Sequence, residues 1–295
     1  MKILCIEDHI PVQVSGHSSK GNQLKWELDG FWYKADGLGY EGLAEVLVSA
    51  LLEQSNVSDY VTYEPVQIMW QKRTYDGCMS RNFREEGWQL ITVEKLYRRM
   101  TGLSLAREMA RLCETEDRID LMVRFVRNIT GLDGFGLYLA RMLEMDAFFL
   151  NEDRHTNNIA VLYCPKEGRY EYCPYFDFGA GMFSDMLGDY PLTKSVDECY
   201  ETICAKPFSG DFDIQTDAAV RLYGRGLSFT ADKKTLIKCV ETVCRRYKEY
   251  SVRPEAEAIA ERVEDVMRRQ IRKYEFMCGR GKIDRGPDPI TLIIK

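Results

Sequence analysis

The stretch Asn151-Glu152-Asp153-Arg154-His155-Thr156-Asn157-Asn158 constrains this chain more than any other. It is a polar run set between two apolar segments. Upstream, after Gly134, Phe135, Leu139, Met142, Leu143, Phe149 and Leu150 recur at helical spacing. Downstream, Ile159-Ala160-Val161-Leu162-Tyr163 reads as a strand. A second short strand is expected to end at Asp177-Phe178-Gly179. A hairpin therefore joins two polar motifs. A surface hairpin with a polar turn before it is the competing reading, and the joint occurrence of both motifs counts against it.

The spacing has a chemical meaning. Transfer of a phosphoryl group from a nucleotide needs a carboxylate to receive the acceptor's proton, and an Asn and an Asp to hold magnesium against the phosphates. Asp153, Asn158 and Asp177 supply these three in the order of a kinase catalytic loop and metal motif. Asp-Phe-Gly alone would carry little weight, since any loop can contain it.

The N-terminal part offers the remaining pieces. Met1–Ile6 and Pro11–Val14 read as short strands. Ser15 to Gln23 is a small, polar loop that includes Gly16, Ser18, Ser19 and Gly21. Backbone amides freed by such residues can cradle phosphate oxygens. Without a GKS/T ending it is not a Walker loop, and a flexible turn is an equally good reading of the loop alone. Lys25–Leu28, the turn Asp29-Gly30 and Phe31–Lys34 make a hairpin with a two-residue turn signal. Lys34 thus ends an aromatic strand, where a nucleotide kinase needs an ammonium group. A helix is predicted over Glu41–Gln54 from the stripe Leu43, Val46, Leu47, Ala50 and Leu51. Glu45, one step from that stripe, is the candidate partner of Lys34, with Glu41 as its competitor. Val61–Ile68 is strand-like, with Pro65 suggesting an edge or bend.

Gly77–Phe83 reads as an ordered connector, which divides the chain into residues 1–82 and 83–295. Helices are expected at Val93–Met100, Ser104–Cys113 and Arg118–Ile129, then after Gly134. From Gly179 to Pro207 there is little periodicity, as in a loop that covers a site. Two helices follow, Lys233–Tyr247 and one beginning at Pro254, and Ile290–Ile294 is a short strand or tail. The sequence predicts an α+β chain of two regions, a small N-terminal sheet and a larger helical C-terminal part.

Composition narrows the function classes. A net charge of −6 argues against non-specific binding to nucleic acid or to an anionic membrane. No stretch approaches a transmembrane helix, and Glu7-Asp8-His9 ends the first apolar run too soon for a signal peptide. Ten cysteines without a CxxC pair read as buried thiols in a reducing cytoplasm. With three histidines and no cysteine pair near them, structural zinc is not expected.

Asn151-x-Asp153-x-His155-x-x-Asn158 with Asp177-Phe178-Gly179 resembles the HipA-type protein kinases. Gln23-x-Lys25, Trp32-Tyr33-Lys34 and the overall size are more similar to the smaller, CtkA-like members. The resemblance runs from Ser15 to about Pro207. The phosphate-loop candidate lies too early for the extra N-terminal subdomain of the HipA toxins, and it is longer and more polar than their Ala-Gly-Gln form. The resemblance implies a two-lobed protein-kinase fold with ATP and Mg2+ in the cleft. It implies Asp153 as base, Asn158 and Asp177 as magnesium ligands and Lys34 as the phosphate lysine. Ser15 to Gln23 would be the phosphate loop, and His155 would orient the catalytic loop. Lys206-Pro207-Phe208-Ser209 also resembles a segment of these proteins. An unknown protein would be the acceptor, and an antitoxin or other regulatory partner is a further implication.

Three functions compete. The first is a serine/threonine protein kinase, with autophosphorylation on a serine of the phosphate loop as its family implication. The second is a phosphoinositide or other small-molecule kinase, against which the low basic content counts. The third is a pseudokinase that binds a partner, against which the full polar set counts.

Overall fold

A computed structural model describes residues 2–7, 10–14 and 23–283. Ser15, Gly16, Ser18, Ser19 and Gly21 of the phosphate-loop candidate, and the tail Ile290–Ile294, lie outside the described residues. The chain is α+β, with a sheet region followed by a helical one.

The first sheet contains β1 (Lys2–Cys5), β2 (Gln13–Val14), β3 (Leu24–Leu28), β4 (Phe31–Ala35), β5 (Glu64–Trp70) and β6 (Arg73–Arg81). Their order is β1-β5-β6-β4-β3-β2. Asp29 and Gly30, both at positive φ (50° and 77°), close the β3–β4 hairpin, the conformation that suits the twist of a two-residue loop. Alternation along β4 puts Tyr33 and Ala35 on one face, packed with Trp26, Val66, Ile68 and Met79. Burying each of the larger side chains contributes about 2 kcal/mol. Lys34 projects from the opposite face. Pro65 pairs with Cys78 of β6, while the β1 ladder on the other side of β5 begins only at Val66. The missing N–H therefore falls where β1 is absent.

Gly77 to Arg81 is not a connector but the end of β6, a strand in the middle of the sheet. The sequence hides it because Gly77 looks like punctuation, whereas it serves close packing. A side chain on Gly77 would meet the Lys34 carbonyl oxygen at 2.2 Å, and one on Gly42 would meet the backbone of Gly77 at 2.7 Å. Helix α1 (Glu41–Leu52) thereby lies directly on the sheet. Its Gly42 N–H donates to Asp36 Oδ1 at 2.6 Å, and Glu45, one turn on, faces Lys34. The apolar side of α1 joins the main core, where Leu43, Leu47 and Leu51 share one cluster with Leu139, Phe149 and Val240.

A second, three-stranded sheet is ordered β7-β8-β9, from Gln89–Thr92, Ala160–Cys164 and Arg169–Tyr172. Strand β9 ends five residues before Asp177, not at it. Helices α2 (Val93–Thr101), α3 (Leu105–Met109), α4 (Thr115–Thr130) and α5 (Phe135–Phe149) precede β8. The segment expected to be loop up to Pro207 contains α6 (Val196–Thr202), started by a capping box between Ser195 and Glu198. Helices α7 (Phe212–Tyr223), α8 (Lys233–Tyr250) and α9 (Ala256–Ile283) complete the described chain. Among the described residues no helix is long and apolar enough to cross a membrane. The nine cysteines whose side chains are described are free, but Cys5, Cys113 and Cys204 are exposed rather than buried, since they lie on an outer strand or in loops.

Candidate active site

Helix α5 is buried on nearly every side. It stops at Leu150, whose φ of 56° is costly for a branched side chain. The turn aims the polar stretch Asn151–Asn158 back across the end of the helix. The stretch is held from within. Arg154 is almost fully buried and donates to both oxygens of Asp146, at 2.9 Å to Oδ2, and to the carbonyls of Asn158 and Phe176 at 3.0 Å. Its guanidinium also lies 4.8 Å from the Phe178 ring centroid. Asn151 donates to Asp146 Oδ1 at 2.7 Å. One buried carboxylate of α5 thus organises two residues of the loop. Asn158 Nδ2 donates to the Asp153 carbonyl at 2.9 Å, closing the loop on itself.

Lys34 is at the centre of a second cluster. Its ammonium donates to Glu45 Oε1 at 2.7 Å, Asp177 Oδ1 at 2.9 Å and the Tyr63 hydroxyl at 3.1 Å. Between the two candidate partners on α1 the geometry is clear. Glu45 pairs with Lys34, and its Oε2 also accepts the Phe178 N–H at 3.0 Å. Glu41 instead accepts the N–H groups of Gly37, Leu38 and Gly39 and ties down the loop before the helix. Lys25 lies directly opposite Lys34 in the β3–β4 register, so it shares that face and approaches Asp177 Oδ1 to 3.9 Å.

The electrostatics follow from this packing. Burial opposes ionisation of Asp177, but Lys34, then Lys25 and Arg154, outweigh it and hold its carboxyl far below the usual carboxylate range. Burial likewise works against charge on Lys34, and Asp177 and Glu45 overcome it, raising its pKa well above the ordinary lysine value. Asp177 also has a φ of 64°, a left-handed conformation at a non-glycine position.

A cavity of about 730 Å3 opens over these groups, lined by Gln23, Lys25, Asp153, Asn158 and Asp177. Asp153 and Asp177 thus reach one space from different ends of the hairpin. His155 is arranged differently. Its backbone N–H donates to the Asp153 carbonyl at 2.9 Å and its carbonyl accepts from Asn158 N at 2.8 Å. The ring nitrogens have no hydrogen-bond partner, and Nε2 is 3.9 Å from Asp153 Oδ2. What holds the loop at His155 is therefore its backbone.

Two side chains of this site escape sequence reasoning. Asp146 is one, although an acidic residue inside an apolar helix was a readable signal. Glu94 is the other. Its carboxylate accepts from Thr156 Oγ1 and the Ala106 N–H, each at 3.1 Å, and so joins α2 and α3 to the polar stretch. Burial works against its charge, yet bonds from Ser104, Ala106 and Thr156 hold its carboxyl below the usual value.

No family model and no curated protein matches the chain. In fold it is similar to a solved crystal structure, the proinflammatory kinase CtkA of Helicobacter pylori, with a TM-score of 0.54 at 13% sequence identity. That match covers 90% of this chain and 97% of the other, and at such identity it is a likeness of fold.

Proposed function

We propose that the chain is a phosphotransferase that moves the terminal phosphoryl group of ATP to a serine or threonine of another protein, using magnesium, with residues 1–82 and 83–295 as its two lobes. The observation that carries this reading is the convergence of Asp153, Asn158 and Asp177 on one cavity, with Lys34 bound to Asp177 at its wall. The fold likeness to a kinase supports it.

The donors suit magnesium. The ion takes hard oxygen ligands and is usually held by one or two carboxylates plus substrate phosphates. Asp177 offers a carboxylate that stays ionised, and Asn158 offers an amide whose nitrogen is already engaged. Bound magnesium would neutralise charge on the phosphates. Lys34 adds a second positive charge, kept in place by Glu45. Gln23 and the loop before it would bind the phosphate oxygens. Asp153 accepts the proton of the acceptor hydroxyl as the new oxygen–phosphorus bond forms and the bond to the leaving ADP breaks. Positioning and charge compensation are most of what this reaction needs.

The test is incubation with labelled ATP and magnesium, alone and with a cell lysate, beside an Asp153→Asn variant. Labelled protein bands are expected from the wild type and none from the variant, whose affinity for ATP in calorimetry stays within about twofold because the base acts on the acceptor. Phosphate on Ser15, Ser18 or Ser19 by mass spectrometry, absent from the variant, would make the loop its own acceptor. Label only in lipid or metabolite assigns a small-molecule acceptor, and no transfer by a folded chain assigns a binding module.

A further inference from the structure

Beside the first cavity lies a second of about 320 Å3, lined by Met109, Arg118, His155, Thr156, Lys206 and Pro207, among others. Lys206 joins it to the site already described. Its ammonium lies 3.4 Å from Asp153 Oδ1, and its side chain is 38% exposed.

The backbone that carries Lys206 is fixed from several sides. Gln215 of α7 is fully buried. It donates to the Lys206 carbonyl at 3.1 Å and accepts from Phe208 N at 3.4 Å. Phe208 is itself fully buried, and its carbonyl accepts from Arg118 Nη1 of α4 at 2.7 Å. A lysine present only for solubility needs no such mount. Two helices and a buried aromatic hold this one opposite the polar stretch.

We propose that Lys206 is a positioning residue for Asp153. The inference rests on the reading of Asp153 as the base. A carboxylate turns easily about its last torsion, which is broad and roughly two-fold. An ammonium holding Oδ1 fixes the plane of the group and hence the direction of both oxygens. Lys206 keeps its own protons throughout: the acceptor's proton passes to Asp153, the phosphoryl group passes to the acceptor oxygen, and ADP leaves. Lys206 thereby differs from Lys34, whose partners are Glu45, Tyr63 and Asp177.

The experiment compares wild type, Lys206→Met and Lys206→Arg in steady-state transfer at varied ATP, with melting temperatures. Lys206→Met should lower kcat by about 10- to 100-fold, a part of what a well-placed general base contributes. KM for magnesium-ATP should stay within about twofold, the signature of an effect on turnover rather than on nucleotide binding. Lys206→Arg, which keeps the charge and the reach, should recover most of the loss. Both variants should melt with the wild type. The proposal is overturned if Lys206→Met turns over normally, if its defect lies in KM for magnesium-ATP, or if arginine is no better than methionine. A wild type that transfers nothing overturns the kinase reading and this one with it, whereas an active wild type with an unimpaired Lys206→Met overturns this one alone.

Discussion

Lys34 and Arg154 each carry a buried positive charge beside the Asp177-Phe178-Gly179 turn, yet they are anchored in different ways. Arg154 finds its counter-charge eight residues away, on the helix that delivers the loop. Lys34 finds one partner eleven residues away on α1 and another 143 residues away at Asp177. The first pair is internal to one region, and it shapes the loop whether or not the sheet is well placed. The second crosses from sheet to loop and exists only when β4, α1 and Asp177 are mutually aligned. The comparison separates what builds the site from what assembles it.

The largest effect should come from the internal pair. Asp146→Ala would leave Arg154 buried without a counter-charge, and breaking a buried pair from one side costs about 3–5 kcal/mol. Urea unfolding measures it, and a loss under 1 kcal/mol would show that Arg154 is satisfied by its carbonyl partners alone.

A smaller stability change is expected from Glu45→Gln. Lys34 would keep Asp177 and Tyr63 as partners, and the new side chain preserves the shape. We expect about 1–2 kcal/mol, together with a fall of about tenfold or more in phosphoryl transfer as Lys34 loses its restraint. If Glu45→Gln destabilises more than Asp146→Ala, the division between building and assembling fails.

The mildest test leaves the sequence intact. The pKa of Asp177 is depressed in the folded state, so the stability it contributes is fully present above its unfolded value of about 4 and is lost only as pH falls through the depressed one. Lys34 is raised, so its contribution is present below about 10.4 and is lost only as pH rises past the folded value. The pair should stay ionised from about pH 5 to about pH 10. Carbon NMR of the Asp177 carboxyl should show no titration step from about pH 10 down to about pH 3, below the ordinary carboxylate midpoint. A midpoint at or above about 4 would mean that burial, not Lys34, governs the group.

The same contrast between local and long-range contacts explains what the sequence made legible. Local rules worked where the answer was local. Asp29-Gly30 announced the hairpin, and the leucine stripe announced α1. Asp153, Asn158 and Asp177, singled out by the spacing within two short motifs, line one cavity. The end of strand β6 is hidden because Gly77 looks like punctuation, although a side chain there would strike the Lys34 carbonyl of the neighbouring strand, and the bare Gly42 is what lets α1 rest on it. Helix α6 was missed because seven residues give no clear stripe, although the pattern Ser195-x-x-Glu198 marks its start. The role of Glu94 depends on contacts 12 and 62 residues away, which no window of sequence contains.

Helix α1 presents one carboxylate to Lys34 while its leucines lie in the same core as α5 and α8. Swinging the helix aside would therefore strip Leu43, Leu47 and Leu51 from that core. At about 2 kcal/mol for each side chain the excursion costs on the order of 6 kcal/mol. With 1.4 kcal/mol per factor of ten, such a conformer is visited by on the order of one molecule in 10,000. The resting ensemble is thus dominated by one alignment of Lys34, and on the proposed reading a nucleotide would meet charges already in register.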